Sequence, residues 1–219
     1  MKKYIFLIAL SFTLLITLAA TFQVENTFPL FGKTIVLDAG HGSFDPGSIS
    51  GDDYEKEYNL DFTKILKEKF ENLGATVVTT REGDYDLSDP NAGSRKRSDF
   101  NNRIKLINEI SPDIYLSLHM NSVSTPTTSG SQVFYSKVNP KNEKLAKLLQ
   151  ENLNKFLNLD KEYKKIGSDK YMFSKLEPTG VLIEYGFISS PSDREKLKTE
   201  EYKSNLADVI TASIVEYFT

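Results

Sequence analysis

The chain contains only two histidines, and each follows an apolar run that is typical of a buried strand. His41 comes shortly after the run at 34–38, and His119 directly follows the run at 114–118. Ligands of open α/β sheets bind at the carboxyl ends of the strands, so we expect both imidazoles at one edge. Imidazole is also the commonest side-chain ligand for metals such as zinc. The pair therefore indicates a metal site more strongly than either histidine would alone.

A carboxylate interrupts a third apolar run, because Glu184 lies between Ile183 and Tyr185. Burying a carboxylate is costly unless it is paired, protonated or close to a cation. Two interpretations follow. In the first, Glu184 reaches the sheet edge that carries the two histidines and acts as a catalytic carboxylate. In the second, it forms a salt bridge with a buried arginine.

A catalytic zinc site generally has three protein ligands and a fourth position for water. Two histidines therefore need one more partner. Glu55 and Glu57 stand at the start of a predicted helix, and Asp38 and Asp45 are alternatives from the loop around His41. The residue types alone do not choose among these four carboxylates.

The hydrophobic pattern supplies the elements that must position these residues. Strands are predicted at 34–38, 76–80, 114–118, 131–136, 170–173 and 181–186. Helices are predicted at 55–73, around Phe100, Ile104 and Ile107 up to Pro112, at 145–156 and at 206–217. Strands and helices alternate along most of the chain. This order predicts a single α/β domain with a mainly parallel, twisted sheet of about six strands flanked by helices.

Composition excludes several classes of function. The formal net charge is −3, which argues against a nucleic-acid partner because phosphate binding calls for a basic face. The chain has no cysteine, so disulfides, thiolate ligands and a cysteine nucleophile are all excluded.

The N-terminus has the pattern of a targeting segment. Lys2 and Lys3 precede an uncharged, mostly apolar run at 4–23. A cleaved signal peptide and an uncleaved anchor both fit, since about 20 apolar residues can span a bilayer. We therefore predict an exported protein that contacts the membrane only through residues 1–23. Residues 24–32 are predicted to be a linker and residues 33–219 a catalytic domain.

Four motifs in order resemble the zinc-dependent N-acetylmuramoyl-L-alanine amidases of the amidase type 3 family. They lie at 35–42, 55–60, 117–122 and 182–189. The similarity spans nearly all of residues 33–219. Ala39 and Ser43 replace a proline and a glycine that are frequent in the family, and neither position contributes a ligand.

The resemblance implies a role for each residue that matches a family motif. It implies that Zn²⁺ is bound by His41, Glu55 and His119. It also implies that Glu184 is the general base for hydrolysis of the amide bond between N-acetylmuramic acid and L-alanine in peptidoglycan. Asn121 and Arg103 match recurring positions around the site, although a surface role fits Arg103 equally well.

A finer resemblance is to the sporulation-associated amidases of the spore cortex. It rests on the basic stretch at 94–100 leading into 102–104, the short apolar N-terminus and the lack of a separate wall-binding domain. It implies a role in forming muramic-δ-lactam and hence in germination. It also implies a location in the cell wall, outside the cell or in the forespore intermembrane space. The basic stretch equally suits a solvated loop.

Two other functions stay open at this point: another exported zinc peptidase or carboxypeptidase acting on wall peptides, and a non-catalytic wall-binding protein. Control of the activity is expected to come from outside the fold. Some relatives carry an inhibitory helix between the second histidine and the last glutamate, but here predicted elements fill the interval between His119 and Glu184. We therefore expect restraint by expression, by substrate, or by an activating partner protein in the same compartment that completes the zinc site.

Overall fold

The structure is a computed structural model that describes residues 27–167 and 170–219. The predicted targeting segment at 1–23 lies outside the described residues. The strands are β1 Thr34–Ala39, β2 Ile49–Ser50, β3 Asp53–Tyr54, β4 Thr76–Thr79, β5 Ile114–Asn121, β6 Gln132–Tyr135, β7 Lys164–Lys165 and β8 Gly180–Phe187. The helices are α1 Glu55–Asn72, α2 Arg95–Ile110, α3 Lys141–Leu157, α4 Pro191–Leu197 and α5 Glu200–Phe218, with a 3₁₀ helix at Met172–Ser174. No helix in the described part of the chain is both long and apolar enough to cross a membrane.

The main sheet has six strands in the order β4-β1-β5-β8-β6-β7. β1 runs parallel to β4 and β5, and β5 runs parallel to β8. The pattern changes at β6, which is antiparallel to β8, and β7 runs parallel to β6. The prediction of a mainly parallel sheet of about six strands is confirmed. The register pairs His119 with Glu184, so these two residues lie side by side on neighbouring strands.

Helices cover both faces of this sheet, which explains why its central strands are apolar almost throughout. Residues of β1 such as Ile35, Val36 and Leu37 are fully buried. The larger apolar cluster lies between the sheet and α1, α3 and α5. The smaller cluster lies under α2 and the 3₁₀ helix. Because both faces are covered by helices, a ligand-binding site is expected at the carboxyl edge of the strands.

The prediction of a strand at 170–173 is wrong. The segment forms the 3₁₀ helix, in which the consecutive side chains of Met172 and Phe173 are both buried in the smaller cluster. Successive side chains of a strand point to opposite faces, so a strand would not place both of them in the same cluster. The sixth strand is instead β7, which pairs with Phe134 and Tyr135.

The short helix α4 was not predicted, although its start carries clear signals. Ser190 caps it by accepting a hydrogen bond from the backbone N–H of Asp193, and Pro191 opens its first turn. The basic stretch at 94–100 also differs from a solvated loop. Ser94 is the N-cap of α2, and the basic residues form the first turn of that helix.

Candidate metal centre and active site

The structure brings together the three predicted zinc ligands. Oε1 of Glu55 lies 3.1 Å from Nε2 of His41 and 3.0 Å from Nδ1 of His119. The three ligand atoms all lie within 4.8 Å of one another. Ligand atoms around a tetrahedral zinc ion stand roughly 3.3 Å apart, as bonds of about 2.0–2.1 Å require. The exposed side chain of Glu57 does not belong to this cluster.

The backbone that carries His41 adopts a conformation that is rare for residues other than glycine. The φ angle of His41 is 64°, and such a left-handed conformation costs roughly 1–2 kcal/mol. Just before it, a Cβ on Gly40 would lie 2.3 Å from Cε1 of His119. Glycine at position 40 therefore lets the end of β1 approach the second imidazole closely.

Two buried arginines hold this loop by its carbonyl oxygens. Arg103 donates from Nη2 to the carbonyl of His41 at 2.7 Å, and Arg81 donates from Nη2 to that of Gly40 at 3.0 Å. Both arginines also donate to the carbonyl of Ala39. Arg103 is only 2% exposed, so the alternative that placed it on the surface is wrong. Arg81 was not predicted, although its position directly after the strand at 76–80 was an available signal.

Asp38 was one alternative for the third ligand, and the structure gives it other partners. Its carboxylate accepts from Nη1 of Arg103 at 2.6 Å, from the hydroxyl of Ser117 at 2.7 Å and from that of Thr80 at 2.9 Å. Burial alone would raise its pKa, but the Arg103 guanidinium and the other partners outweigh burial and lower the pKa. Asp38 therefore anchors Arg103 beneath the loop.

Asp45, the other loop alternative, contacts a histidine on the side away from the cluster. Its Oδ2 lies 3.1 Å from Nδ1 of His41. This hydrogen bond is the main cause that holds the pKa of Asp45 well below its usual range. A carboxylate on one ring nitrogen fixes the orientation of an imidazole. Asp45 thus turns Nε2 of His41 towards Glu55.

Glu55 is held in place by backbone donors as well as by the two imidazoles. Its Oε2 accepts from the N–H of Ser48 at 2.8 Å, and its Oε1 accepts from the N–H of Met120 at 3.1 Å. Burial raises the pKa of Glu55, but His119 and His41 outweigh burial, so the pKa lies well below its usual range. This carboxylate is therefore ionised and fixed at the position that a cation would need.

His41 responds to the same neighbours in the opposite direction. Burial lowers its pKa, but hydrogen bonds to Asp45 and Glu55 outweigh burial and raise the pKa to about 9. A proton on His41 thus occupies the place at which a metal ion would supply positive charge.

Glu184 completes the site without joining the cluster. Its Oε2 is buried and has no hydrogen-bond partner among the described residues. Burial, followed by the negative charge of Glu55, raises its pKa to about 8, against the opposing charges of Lys170 and His41. Glu184 forms no salt bridge with any arginine in the described part of the chain, so that alternative is wrong. A carboxyl group that titrates near neutral pH suits proton transfer.

The cluster and Glu184 lie in one cleft of about 610 Å³. Helix α2 contributes Lys96 and Phe100 to its lining, and the segment around the 3₁₀ helix contributes Lys170 and Tyr171. Asn121 lies at the end of β5 and also lines the cleft. The cleft is therefore large enough for a substrate that extends beyond the reacting bond.

The sequence and the fold are similar to those of known enzymes. Residues 35–216 match the family described as N-acetylmuramoyl-L-alanine amidase. The germination-specific N-acetylmuramoyl-L-alanine amidase of Bacillus subtilis (strain 168) is 36% identical over 197 residues, which cover 88% of this chain and 83% of the relative.

Two solved structures share the fold. The CwlD amidase from Clostridioides difficile, solved in complex with the GerS lipoprotein, is 31% identical with a TM-score of 0.79, covering 85% of this chain and 98% of that one. An N-acetylmuramoyl-L-alanine amidase from Clostridium difficile 630 is 26% identical with a TM-score of 0.74, covering 84% and 96%.

The chain has a mainly parallel α/β sheet with this cluster at its carboxyl edge, and amidases match it over most of its length. These features define a peptidoglycan hydrolase. The chain belongs to the N-acetylmuramoyl-L-alanine amidase family. The prediction of the enzyme class from the four motifs is confirmed.

Proposed function

We propose that the chain binds Zn²⁺ through His41, Glu55 and His119 and hydrolyses the amide bond between N-acetylmuramic acid and L-alanine. The observation that carries the proposal is the convergence of these three donors on one cleft. Two imidazoles and one carboxylate are a donor set that suits zinc and leaves a fourth position for water or substrate. A zinc ion held there would polarise the scissile carbonyl and lower the pKa of a water molecule.

Glu184 is the general base in this proposal. It accepts a proton from the attacking water as the water oxygen bonds to the scissile carbonyl carbon. It then delivers that proton to the amide nitrogen as the carbon–nitrogen bond breaks, which releases the stem peptide with a free amine on its L-alanine. Its buried Oε2, which has no hydrogen-bond partner among residues 27–167 and 170–219, and its raised pKa of about 8 support this role. A cation at the cluster would favour its ionised form, which is the form that accepts the proton.

The biological setting that we propose is the spore cortex. The germination-specific amidase of B. subtilis aligns with most of this chain, and the amidase would remove stem peptides before muramic-δ-lactam forms. Residues 1–23 would direct export as a signal peptide or anchor, residues 24–32 would be the linker, and residues 33–219 the catalytic domain. The enzyme would then act in the cell wall, outside the cell or in the forespore intermembrane space.

We also propose an activating partner protein in the same compartment. The related CwlD amidase was solved in complex with a lipoprotein. In this chain the three donors come from three separate elements, and the loop that carries His41 has an unfavourable φ angle. A partner that fixes these elements would raise the affinity for zinc. Purified chain that is fully loaded with zinc and cleaves peptidoglycan rapidly alone would rule out the partner.

Mass spectrometry of digested muropeptides tests the reaction itself. Free stem peptides, together with glycan that has lost its peptides, are the expected products of the zinc-loaded chain. Peptides shortened from their carboxyl ends would instead indicate a carboxypeptidase. Binding to peptidoglycan without any change in mass would indicate a wall-binding protein. Loss of the products after chelation, and their return with added zinc, would establish the metal requirement.

A further inference from the structure

We propose that Lys96 forms a carboxylate-binding subsite for the stem peptide, and that it recognises a free carboxylate on the residue that follows L-alanine. This inference rests on the proposed amidase function. In this proposal, the end of the cleft that Lys96 lines holds the peptide on the L-alanine side of the scissile bond. The ligand is therefore an acidic peptide whose first free carboxylate lies one residue beyond that bond.

The first turn of α2 contains three consecutive basic residues and no acidic one. The helix dipole favours acidic side chains at this end, so local stability does not explain the pattern. Arg95 pairs with Asp86 at 2.7 Å, and the guanidinium of Arg97 stacks on the ring of Tyr171, 3.3 Å from its centroid. These two arginines attach α2 to its neighbours. Lys96, between them, lines the same cleft as Glu184, whose buried Oε2 has no hydrogen-bond partner in the part of the chain that the structure describes.

Lys96 keeps unused donors in that cleft. Its Nζ lies 3.4 Å from Oδ2 of Asp45, and Asp45 is its sole acidic partner among the residues that the structure describes. That same oxygen is 3.1 Å from Nδ1 of His41, so Asp45 is shared between the ammonium group of Lys96 and the His41 imidazole. An ammonium group has three N–H donors. Lys96 therefore has capacity for a second carboxylate, and its side chain is 58% exposed.

The position of Lys96 suits the residue after L-alanine. Asp45 contacts both Lys96 and His41, so a single carboxylate separates the ammonium from the metal cluster. One residue of extended peptide spans about 3.3–3.6 Å. A substrate with its scissile carbonyl at the cluster therefore places the next carboxylate beyond one extended residue, where the long and 58% exposed side chain of Lys96 would meet it. Lys170 also lines the cleft, but Lys96 is the lysine whose partner Asp45 contacts a proposed metal ligand.

The test uses two synthetic muropeptides that differ only at the residue after L-alanine, which carries a free carboxylate in one and a carboxamide in the other. The full chain loaded with zinc is compared with Lys96→Gln, Lys96→Arg and Lys105→Gln. Lys105 lies on the same helix, is 69% exposed and is not part of the cleft, so it is the matched control. Zinc content and thermal unfolding are measured for each variant.

We expect Lys96→Gln to raise KM for the free acid by roughly fivefold, the scale of one exposed charge pair, while kcat stays within about twofold. KM for the amide should not change, and Lys96→Arg should keep most of the preference. An equal effect of Lys96→Gln on both substrates, or no effect on either, would overturn the subsite and leave the amidase function intact. A preference that follows the carboxyl-terminal carboxylate of the peptide would overturn the assigned position. If wild-type chain releases no peptide from either substrate or from isolated peptidoglycan, the proposed function itself fails.

Discussion

Two glutamates at the same sheet edge behave in opposite ways. Glu55 and Glu184 are both surrounded by protein, yet the pKa of Glu55 lies well below its usual range and that of Glu184 is raised to about 8. Burial raises the pKa of both. The difference is the pair of imidazoles beside Glu55, while Oε2 of Glu184 has no partner in the described residues. Two glutamates in one cleft therefore differ in role because their neighbours differ. Glu55 is suited to bind a cation, and Glu184 is suited to transfer a proton.

The two glutamates also differ in how the backbone holds them. Glu184 stands in β8, where pairing with β5 on one side and β6 on the other fixes the strand. The cluster instead joins a loop, a helix start and a strand end, and two buried arginines must hold the loop. We therefore expect substitutions at many positions around the cluster to weaken metal binding. Proton transfer should instead depend mainly on Glu184 itself.

The largest effect should come from His119→Ala. Two donors remain after this change, which is too few to hold zinc against water in a three-ligand site. We expect loss of both bound zinc and detectable release of stem peptide. Zinc content by elemental analysis and muropeptide digestion check the two losses. Stoichiometric zinc in the folded variant would remove His119 from the ligands.

Two matched variants test which of the two glutamates at the start of α1 binds zinc. Glu55→Ala should lose zinc, because Oε1 of Glu55 contacts both imidazoles. Glu57→Ala should bind zinc normally, because that side chain is exposed and outside the cluster. The reverse result in zinc titrations would show that Glu57 is the ligand.

Glu184→Gln should separate metal binding from proton transfer. The amide cannot accept the proton from water, so we expect kcat to fall by roughly 10²-fold or more, the usual scale for a general base. Zinc content should stay at the wild-type level, since Glu184 is not part of the cluster. Turnover close to wild type in the zinc-loaded variant would make Glu184 structural.

The sequence predicted the parts of this site that follow from strand pattern. Both histidines follow apolar runs and Glu184 interrupts a third one, and parallel strands bring their carboxyl ends to one edge. The pattern could not choose Glu55 over Glu57, because the choice depends on how the short β2–β3 pair directs the start of α1. The sequence also left open whether Arg103 supports the site or lies on the surface, since its helix shows a charged face and its partner Asp38 is distant in sequence.

A smaller effect should follow from Gly40→Ala, which acts on the cluster without removing a donor. The new Cβ would lie 2.3 Å from Cε1 of His119, so the imidazole must move away from Glu55. We expect the affinity for zinc to fall by roughly 10–100-fold, as for other changes to the groups that support metal ligands. Gly93→Ala is the control, because nothing lies within 4 Å of its Cβ position. Equal zinc affinity of the two variants in chelator competition would contradict the close approach.

The last prediction concerns pH, and it tests the proton on His41. The pKa of His41 is raised to about 9 because hydrogen bonds to Asp45 and Glu55 outweigh burial. Zinc binds only the neutral imidazole, so below pH 9 each bound zinc ion must displace this proton. At every pH below about 9 the affinity should therefore rise with pH, by up to about tenfold per pH unit, and the window from about pH 6.5 to about pH 9 is convenient for measuring it. Asp45→Asn removes one of the two carboxylates that hold the proton, so the rise should end at a lower pH in that variant. Chelator competition in steps across this window measures both curves, and an affinity that does not change with pH would show that His41 carries no proton for zinc to displace.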